Sequence, residues 1–124
     1  PDMSIPIQYA LTYPDRYPSP AEALDLTQYG ALTFYKPDEE TFSCIGVCRE
    51  AIQRGGLSPA AANGANEEAV HLFLHHQIQF TDIGTLVRLA MERQAPVTDY
   101  TLEDVFEADR QARRTVREAA GAES

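Results

Sequence analysis

The feature that most constrains the fold is a series of four amphipathic segments that fill residues 41–124. In each segment the apolar residues recur three or four positions apart, as they do on one face of a helix. The pattern predicts helices over about residues 41–54, from Ser58 to about Gln77, from Thr81 to a point before Pro96, and from Thr101 onward. Because the connections are short, consecutive helices should be neighbours, so we predict a mainly α fold with a four-helix-type bundle.

Glycine and proline mark the ends of these segments. Gly55 and Gly56 are expected to end the first helix, and Ser58 with Pro59 begins the second as a cap followed by a proline in the first turn. Gly64 lies in the middle of the second helix, where glycine costs about 1 kcal/mol relative to alanine. It therefore predicts a bend or a break at that position.

The fourth segment carries two charges on its apolar face. Thr101 and Asp104 form a capping box at its start. Asp109 and Arg113 follow, four residues apart, on the side that also holds the apolar residues. Since an unpaired charge there would be costly, we predict that they pair with each other or with groups across the bundle, in a structural role.

Residues 1–40 differ from the rest of the chain in their pattern. Residues 1–13 alternate apolar and polar side chains, as a half-buried strand does, yet Asp2 and Ser4 are N-cap types, so a short helix is the preferred prediction and a strand stays open. Residues 14–40 are rich in proline and are predicted to form an extended linker arm. Residues 31–35 are the one strand candidate in that arm.

Composition excludes several classes of function. The chain has a net charge of −9, so it lacks the basic footprint of a nucleic-acid-binding protein, and anionic membranes would repel it. No apolar run approaches the length that spans a bilayer. Two cysteines four residues apart are a poor disulfide framework, which suggests reduced thiols inside a cell. There is no glycine-rich phosphate motif and no nucleophile elbow.

Two pairs of metal-ligating residues share one helical spacing and raise a zinc hypothesis. Cys44 and Cys48 are four apart, and so are His71 and His75. A tetrahedral Cys2His2 site requires all four side chains to converge. Helical projection instead places Cys48 at the centre of an apolar stripe. It places the two histidines on a solvated polar face together with Glu67 and Glu68. We therefore predict a core cysteine and no metal site.

Five stretches, spread in order over essentially the whole chain, carry a family resemblance. They are PDMSIPIQYALTYPDR, LDLTQYGALTFYKPD, SPAAANGANEEAVHLFL, FTDIGTLV and TLEDVFEADRQAR. They resemble the 1-deoxy-D-xylulose 5-phosphate reductoisomerase family: the exit from its catalytic domain, the connection to its C-terminal domain, a helix with an Asn-x-Ala-Asn-Glu core, and the last two helices. The core is Asn63-Gly64-Ala65-Asn66-Glu67 here.

The resemblance implies an activity for the intact enzyme. Members of this family rearrange 1-deoxy-D-xylulose 5-phosphate and reduce the intermediate with NADPH to 2-C-methyl-D-erythritol 4-phosphate, in non-mevalonate isoprenoid biosynthesis. They use Mg or Mn and work as homodimers through the catalytic domain. The resemblance divides this chain into the end of the catalytic domain (residues 1–13), a linker arm (14–40) and a C-terminal helical bundle (41–124). The chain would begin just after the catalytic core, and its partner would be the rest of the same enzyme.

Few functional residues of the family map onto this chain. Its catalytic residues, metal ligands and dinucleotide fold match nothing here, so we expect no catalytic residue, no metal ligand and no cofactor for this chain alone, and no activity. Pro1 and Met3 match positions near the nicotinamide and the substrate flap, which makes them peripheral cofactor-binding candidates. Asn63 and Asn66 are structural candidates, as are Asp109 and Arg113. Ser43 and Gly64 depart from the family's usual proline and alanine.

A second hypothesis is a standalone helical interaction module that has lost the enzyme. The feature against it is the apolar arm: residues 1–40 include Tyr9, Leu11, Tyr13, Leu24, Leu26 and Phe34, with little of their own to pack on. For the enzyme we expect a bacterial cytoplasmic location. A transit peptide upstream would instead indicate a plastid.

Overall fold

The computed structural model describes residues 3–19 and 21–121. Over these residues the secondary structure is all helical, with six helices and no strand, so the mainly α prediction is confirmed. The chain divides into two units, Pro1–Tyr35 and Lys36–Ser124. The functional division of the chain at residues 13 and 40 stays a prediction.

The first unit contains two short helices. Helix α1 spans Ser4–Thr12, so the helix hypothesis for the opening segment is right and the strand alternative is wrong. Helix α2 spans Leu26–Tyr29, was not predicted, and begins where the Asp25 carboxylate accepts a hydrogen bond from the Thr27 backbone N–H at 2.9 Å. Both helices lack buried residues within the unit.

The strand predicted at residues 31–35 is wrong. These residues have no regular secondary structure, and Phe34 and Tyr35 are 87% and 86% exposed. Their β-favouring side chains express a local preference, but a strand is stabilised by hydrogen bonds and side-chain pairs with a neighbouring strand. The described residues contain no second strand that could provide them.

The second unit contains the four predicted bundle helices. Helix α3 spans Cys44–Arg54, α4 spans Ser58–Leu74, α5 spans Phe80–Glu92 and α6 spans Leu102–Ala120. Helices α4 and α5 each contact the other three helices, and the contacts of α4 are the more extensive. Helices α5 and α6 begin with capping boxes, in which the N-cap side chain and the third helical residue satisfy each other's backbone N–H groups.

Helix α4 ends three residues before the predicted position. His76 adopts a left-handed backbone conformation with a φ of 58°. The His76 N–H donates to the Phe73 carbonyl at 2.9 Å, and the Gln77 N–H donates to the Leu72 carbonyl at 3.0 Å. These two hydrogen bonds are those of a Schellman motif, which closes a helix and fixes its last turn. The motif usually contains glycine, so a histidine at this position did not predict it.

The core of the bundle is built from small side chains on α4 and larger ones around it. Buried residues of α4 include Ala61, Ala62, Ala65, Ala69 and Leu72, and the surrounding helices contribute Val47, Ile83, Leu86, Val87, Met91, Ala112 and Val116. Small residues allow helix axes to approach closely. Gly64 extends this surface: it is buried, α4 continues unbroken through it, and a methyl group there would collide with the Asp109 carboxylate of α6. The predicted break at Gly64 is therefore wrong.

The N-terminus of α6 provides a test of pH dependence. The Thr101 hydroxyl donates to the Asp104 carboxylate at 2.7 Å, and the Thr101 backbone N–H donates to the same oxygen at 2.8 Å. These hydrogen bonds, that of the hydroxyl first, lower the pKa of Asp104 below its ordinary value of 3.8. A lowered pKa in the folded state stabilises the fold above pH 3.8, and this contribution is lost as the pH falls through the folded pKa.

Thr101→Ala is therefore expected to raise the pKa of Asp104 toward 3.8 and to lower the urea midpoint at neutral pH. Carboxyl NMR titration of Asp104 and urea denaturation would measure the two effects. The difference between the two midpoints should shrink in acid, where Asp104 is protonated in both proteins. A difference that stays constant as the pH falls through the pKa of Asp104 in both proteins would contradict this assignment.

Candidate functional site

An apolar groove opens between the start of α3, the middle of α4 and the first turn of α5. It encloses a cavity of about 360 Å³. The residues that line it are mostly apolar and include Phe42, Cys44, Ile45, Asn66, Val70, Phe80 and Ile83. Two edge-to-face aromatic contacts shape its rim, with ring centroids 5.9 Å apart for Phe42 and Phe80 and 5.8 Å apart for Phe73 and Phe80. Phe42 and Phe80 are about half exposed, so this groove is an apolar surface open to an occupant.

A second groove lies between α3 and the first half of α4. Its cavity of about 310 Å³ is lined by Cys48, Ala51, Ile52, Pro59, Ala62, Asn63 and Asn66. Ile52 is 74% exposed beside it. Asn66 lines both grooves, so one side of α4 separates two apolar depressions.

Asn63 and Asn66, predicted as structural residues, are exposed on this side of α4. An asparagine amide has two donors and two acceptor lone pairs, and at a groove edge it can bind the backbone of a partner segment. Their structural role stays a prediction. The groups that the two amides would bind have to come from a segment that covers the grooves. The sequence motif identified the two residues, but it did not indicate that they border cavities.

An ion-pair network joins α4 to α6. Arg113 binds Asp109 with two hydrogen bonds, from Nε at 2.8 Å and from a terminal nitrogen at 3.2 Å. The same guanidinium lies 3.4 Å from a carboxylate oxygen of Glu67 on α4. Arg117 contacts the Glu68 carboxylate at 3.1 Å, and Arg113 approaches it at 4.0 Å. Two arginines of α6 and two glutamates of α4 therefore hold the helices in register.

The hydrogen bonds from Arg113 to Asp109 raise the pKa of the guanidinium above its usual value. The pairing of the two residues that the sequence predicted is present. Glu68 differs from the prediction, because it is only 8% exposed and does not belong to a solvated polar face. Helical projection could not identify its partners, which lie on another helix.

The cysteines and histidines do not form a joint cluster. Cys44 is half-buried and Cys48 is exposed, so the prediction that Cys48 is a core residue is wrong. Burial raises the pKa of the Cys44 thiol, and the neighbouring Cys48 adds to the effect. His71 on α4 and His75 at its C-cap are both exposed. Over residues 3–19 and 21–121, no group of three or more histidine, cysteine, aspartate or glutamate side chains could hold a metal ion.

The two candidate cofactor-binding residues lie at the start of the chain. Pro1 is outside the described residues. Met3 is the N-cap of α1, its carbonyl accepts a hydrogen bond from the Ile7 N–H at 3.1 Å, and its side chain is 68% exposed. An exposed thioether beside a helix can contact a flat ring, and its role near a nicotinamide stays a prediction.

None of the helices in the described part of the chain is both long enough and apolar enough to cross a bilayer.

The chain matches the family described as DXP reductoisomerase C-terminal domain over residues 1–115. A similar relative is a 1-deoxy-D-xylulose 5-phosphate reductoisomerase from Acetivibrio thermocellus, 45% identical over 118 residues. That alignment covers 95% of this chain and 31% of the relative.

Two solved structures share the fold over almost the whole chain. One is 1-deoxy-D-xylulose 5-phosphate reductoisomerase from Zymomonas mobilis in complex with NADPH, with a TM-score of 0.83 and 39% identity over 99% of this chain and 32% of that one. The other is a DOX-P reductoisomerase in complex with NADPH, fosmidomycin and magnesium, with a TM-score of 0.76 and 33% identity over 98% of this chain and 32% of that one. This chain thus spans about a third of the length of the relatives it matches.

Proposed function

The chain belongs to the DXP reductoisomerase C-terminal domain family, and we propose that it forms the C-terminal part of an enzyme that converts 1-deoxy-D-xylulose 5-phosphate to 2-C-methyl-D-erythritol 4-phosphate with NADPH. The observation that carries the proposal is 45% identity, maintained over 95% of this chain, to a reductoisomerase about three times as long. The related structures in complex with NADPH and with magnesium support these two cofactors for the intact enzyme. Manganese is proposed as the alternative metal, on the family resemblance alone. The enzyme would act in the cytoplasm.

The role of this chain within that enzyme is structural. Helices α3 to α6 form a bundle whose two grooves, on either side of Asn66, present apolar surface. Exposed apolar surface of this kind is covered in a working protein. The rest of the same polypeptide is the partner that we propose for it, with residues 1–13 ending the catalytic domain and residues 14–40 connecting the two. Metal binding, hydride transfer and phosphate recognition are then carried out by that other part, within a homodimer.

A domain exchange would test this proposal. The matching C-terminal third of the Acetivibrio thermocellus reductoisomerase would be replaced by residues 1–124 of this chain. The control would be the same reductoisomerase truncated so that it has no C-terminal third. We expect the chimera to oxidise NADPH when 1-deoxy-D-xylulose 5-phosphate is added. The truncated relative and this chain alone are expected to be inactive.

Two results would contradict the proposal. Substrate-dependent NADPH oxidation by this chain alone would exclude a purely structural role. A chimera that melts cooperatively and binds NADPH, yet turns over no substrate, would exclude this chain as a working C-terminal part.

The exposed grooves also favour the rival hypothesis of a standalone interaction module. An immunoblot of source-cell extract with antibodies against the bundle distinguishes the two hypotheses. A band several-fold heavier than 13.7 kDa supports the enzyme, and a band at 13.7 kDa supports the module.

A further inference from the structure

Two exposed histidines face each other at the C-terminal end of α4. His71 and His75 are one helical turn apart, and their ring centroids are 4.2 Å apart at an interplanar angle of 41°. Side chains four residues apart on a helix are neighbours on one surface. Because both rings are exposed, an ion bound between them could keep most of its water ligands, so its desolvation would cost little.

A backbone hydrogen bond fixes the tautomer and the orientation of one ring. Nδ1 of His75 lies 2.8 Å from the carbonyl oxygen of His71. A carbonyl can only accept, so Nδ1 carries the proton and donates it, and Nε2 is left with a free lone pair. This is the arrangement found behind metal-ligating histidines, where a backbone carbonyl holds the ring in a fixed orientation.

The helix end around this pair favours a bound cation. The Schellman motif formed by His76 and Gln77 fixes the turn that carries His75. The carbonyl end of a helix has a partial negative charge and attracts cations. The chain as a whole has a net charge of −9, which also favours a bound cation, whereas Glu67, one turn before His71, is already paired with Arg113 at 3.4 Å.

The sequence predicted no metal ligand in this chain, but from the geometry of the pair we propose that His71 and His75 form a two-histidine surface site for a divalent transition-metal ion of the Ni²⁺, Cu²⁺ or Zn²⁺ type, completed by water. Imidazole nitrogen suits these borderline ions, whereas Mg²⁺ and Mn²⁺ prefer oxygen ligands. The site is therefore different in kind from the magnesium that the related enzymes bind, and it is independent of the function proposed above. Since no third side chain of the described residues joins the pair, the protein supplies two ligands.

Titration calorimetry of this chain with NiCl₂ tests the proposal. We expect one Ni²⁺ per chain, and His71→Gln or His75→Gln should each weaken binding at least ~10-fold, since one of two protein ligands is lost. His76→Gln is the matched control: the residue is a neighbouring exposed histidine outside the His71–His75 pair, and its variant should bind within about twofold of the unsubstituted chain.

Competition among metals gives a second readout. Affinity should rise from Ni²⁺ to Cu²⁺ and fall again for Zn²⁺, and Mg²⁺ should give no heat of binding. All three variants alter exposed side chains, so their circular dichroism should match that of the parent chain. The proposal is overturned if His71→Gln and His75→Gln retain parental Ni²⁺ affinity, if His76→Gln loses as much, or if the chain binds no Ni²⁺. Activity plays no part in this test, so its failure leaves the proposed enzyme role unaffected.

Discussion

Gly64→Ala is expected to lower the free energy of unfolding by about 2 kcal/mol, although alanine is the better helix former. Alanine would gain about 1 kcal/mol from helix propensity. Its methyl group would collide with the Asp109 carboxylate and lie 3.1 Å from the Asp109 backbone oxygen. The carboxylate would have to turn away from Arg113, which costs charge-assisted hydrogen bonds, and α6 would have to shift. Urea denaturation followed by circular dichroism would measure the change.

Gly46→Ala is the matched control for this substitution. Gly46 is also inside a helix, α3, but a methyl group added there would have nothing within 4 Å. Only the propensity gain remains, so the control should raise the free energy of unfolding by about 0.5–1 kcal/mol. Equal stabilisation by both substitutions would mean that α4 and α6 are not in close contact at Gly64.

Gly64 illustrates which features of this fold the sequence could and could not predict. From the sequence, a glycine in a helical segment indicates a less stable helix, because helix propensity depends only on the residue and its neighbours along the chain. Its actual environment depends on Asp109, which comes from another helix. The helices themselves follow from local spacing, and so does the pairing of Asp109 with Arg113, four residues away on one helix.

The errors have the same origin. The strand at residues 31–35 required a pairing partner, which propensity cannot provide. Glu68 was assigned to solvent because its partner Arg117 lies on α6. The grooves could not be predicted either, since their shape depends on how α3, α4 and α5 pack together. The motif around Asn66 indicated a family. The position of Asn66 between two cavities depends on how α3, α4 and α5 pack, which the motif does not describe.

Arg113→Ala is the second substitution with a large expected effect. The Arg113 side chain is 29% exposed, and its guanidinium is the group that approaches Asp109, Glu67 and Glu68 together. Removing it would leave three carboxylates close to one another, with Arg117 as the remaining partner of the buried Glu68. Loss of one partner from a fully buried pair costs about 3–5 kcal/mol, and since Arg113 is partly exposed we expect a loss of about 2 kcal/mol. The same urea denaturation measures it.

Two further substitutions separate the charge of Arg113 from its geometry. Arg113→Lys keeps the positive charge but cannot form the bidentate contact with Asp109. It should therefore lower the free energy of unfolding by an intermediate amount. Arg114→Ala removes the adjacent, exposed arginine and should change the free energy of unfolding by less than about 0.5 kcal/mol. If Arg113→Ala costs no more than Arg114→Ala, the network contributes nothing to stability, and the small-residue packing around Gly64 alone holds α4 against α6. If Lys is as damaging as Ala, the two hydrogen bonds to Asp109 matter more than the neutralisation of the glutamates.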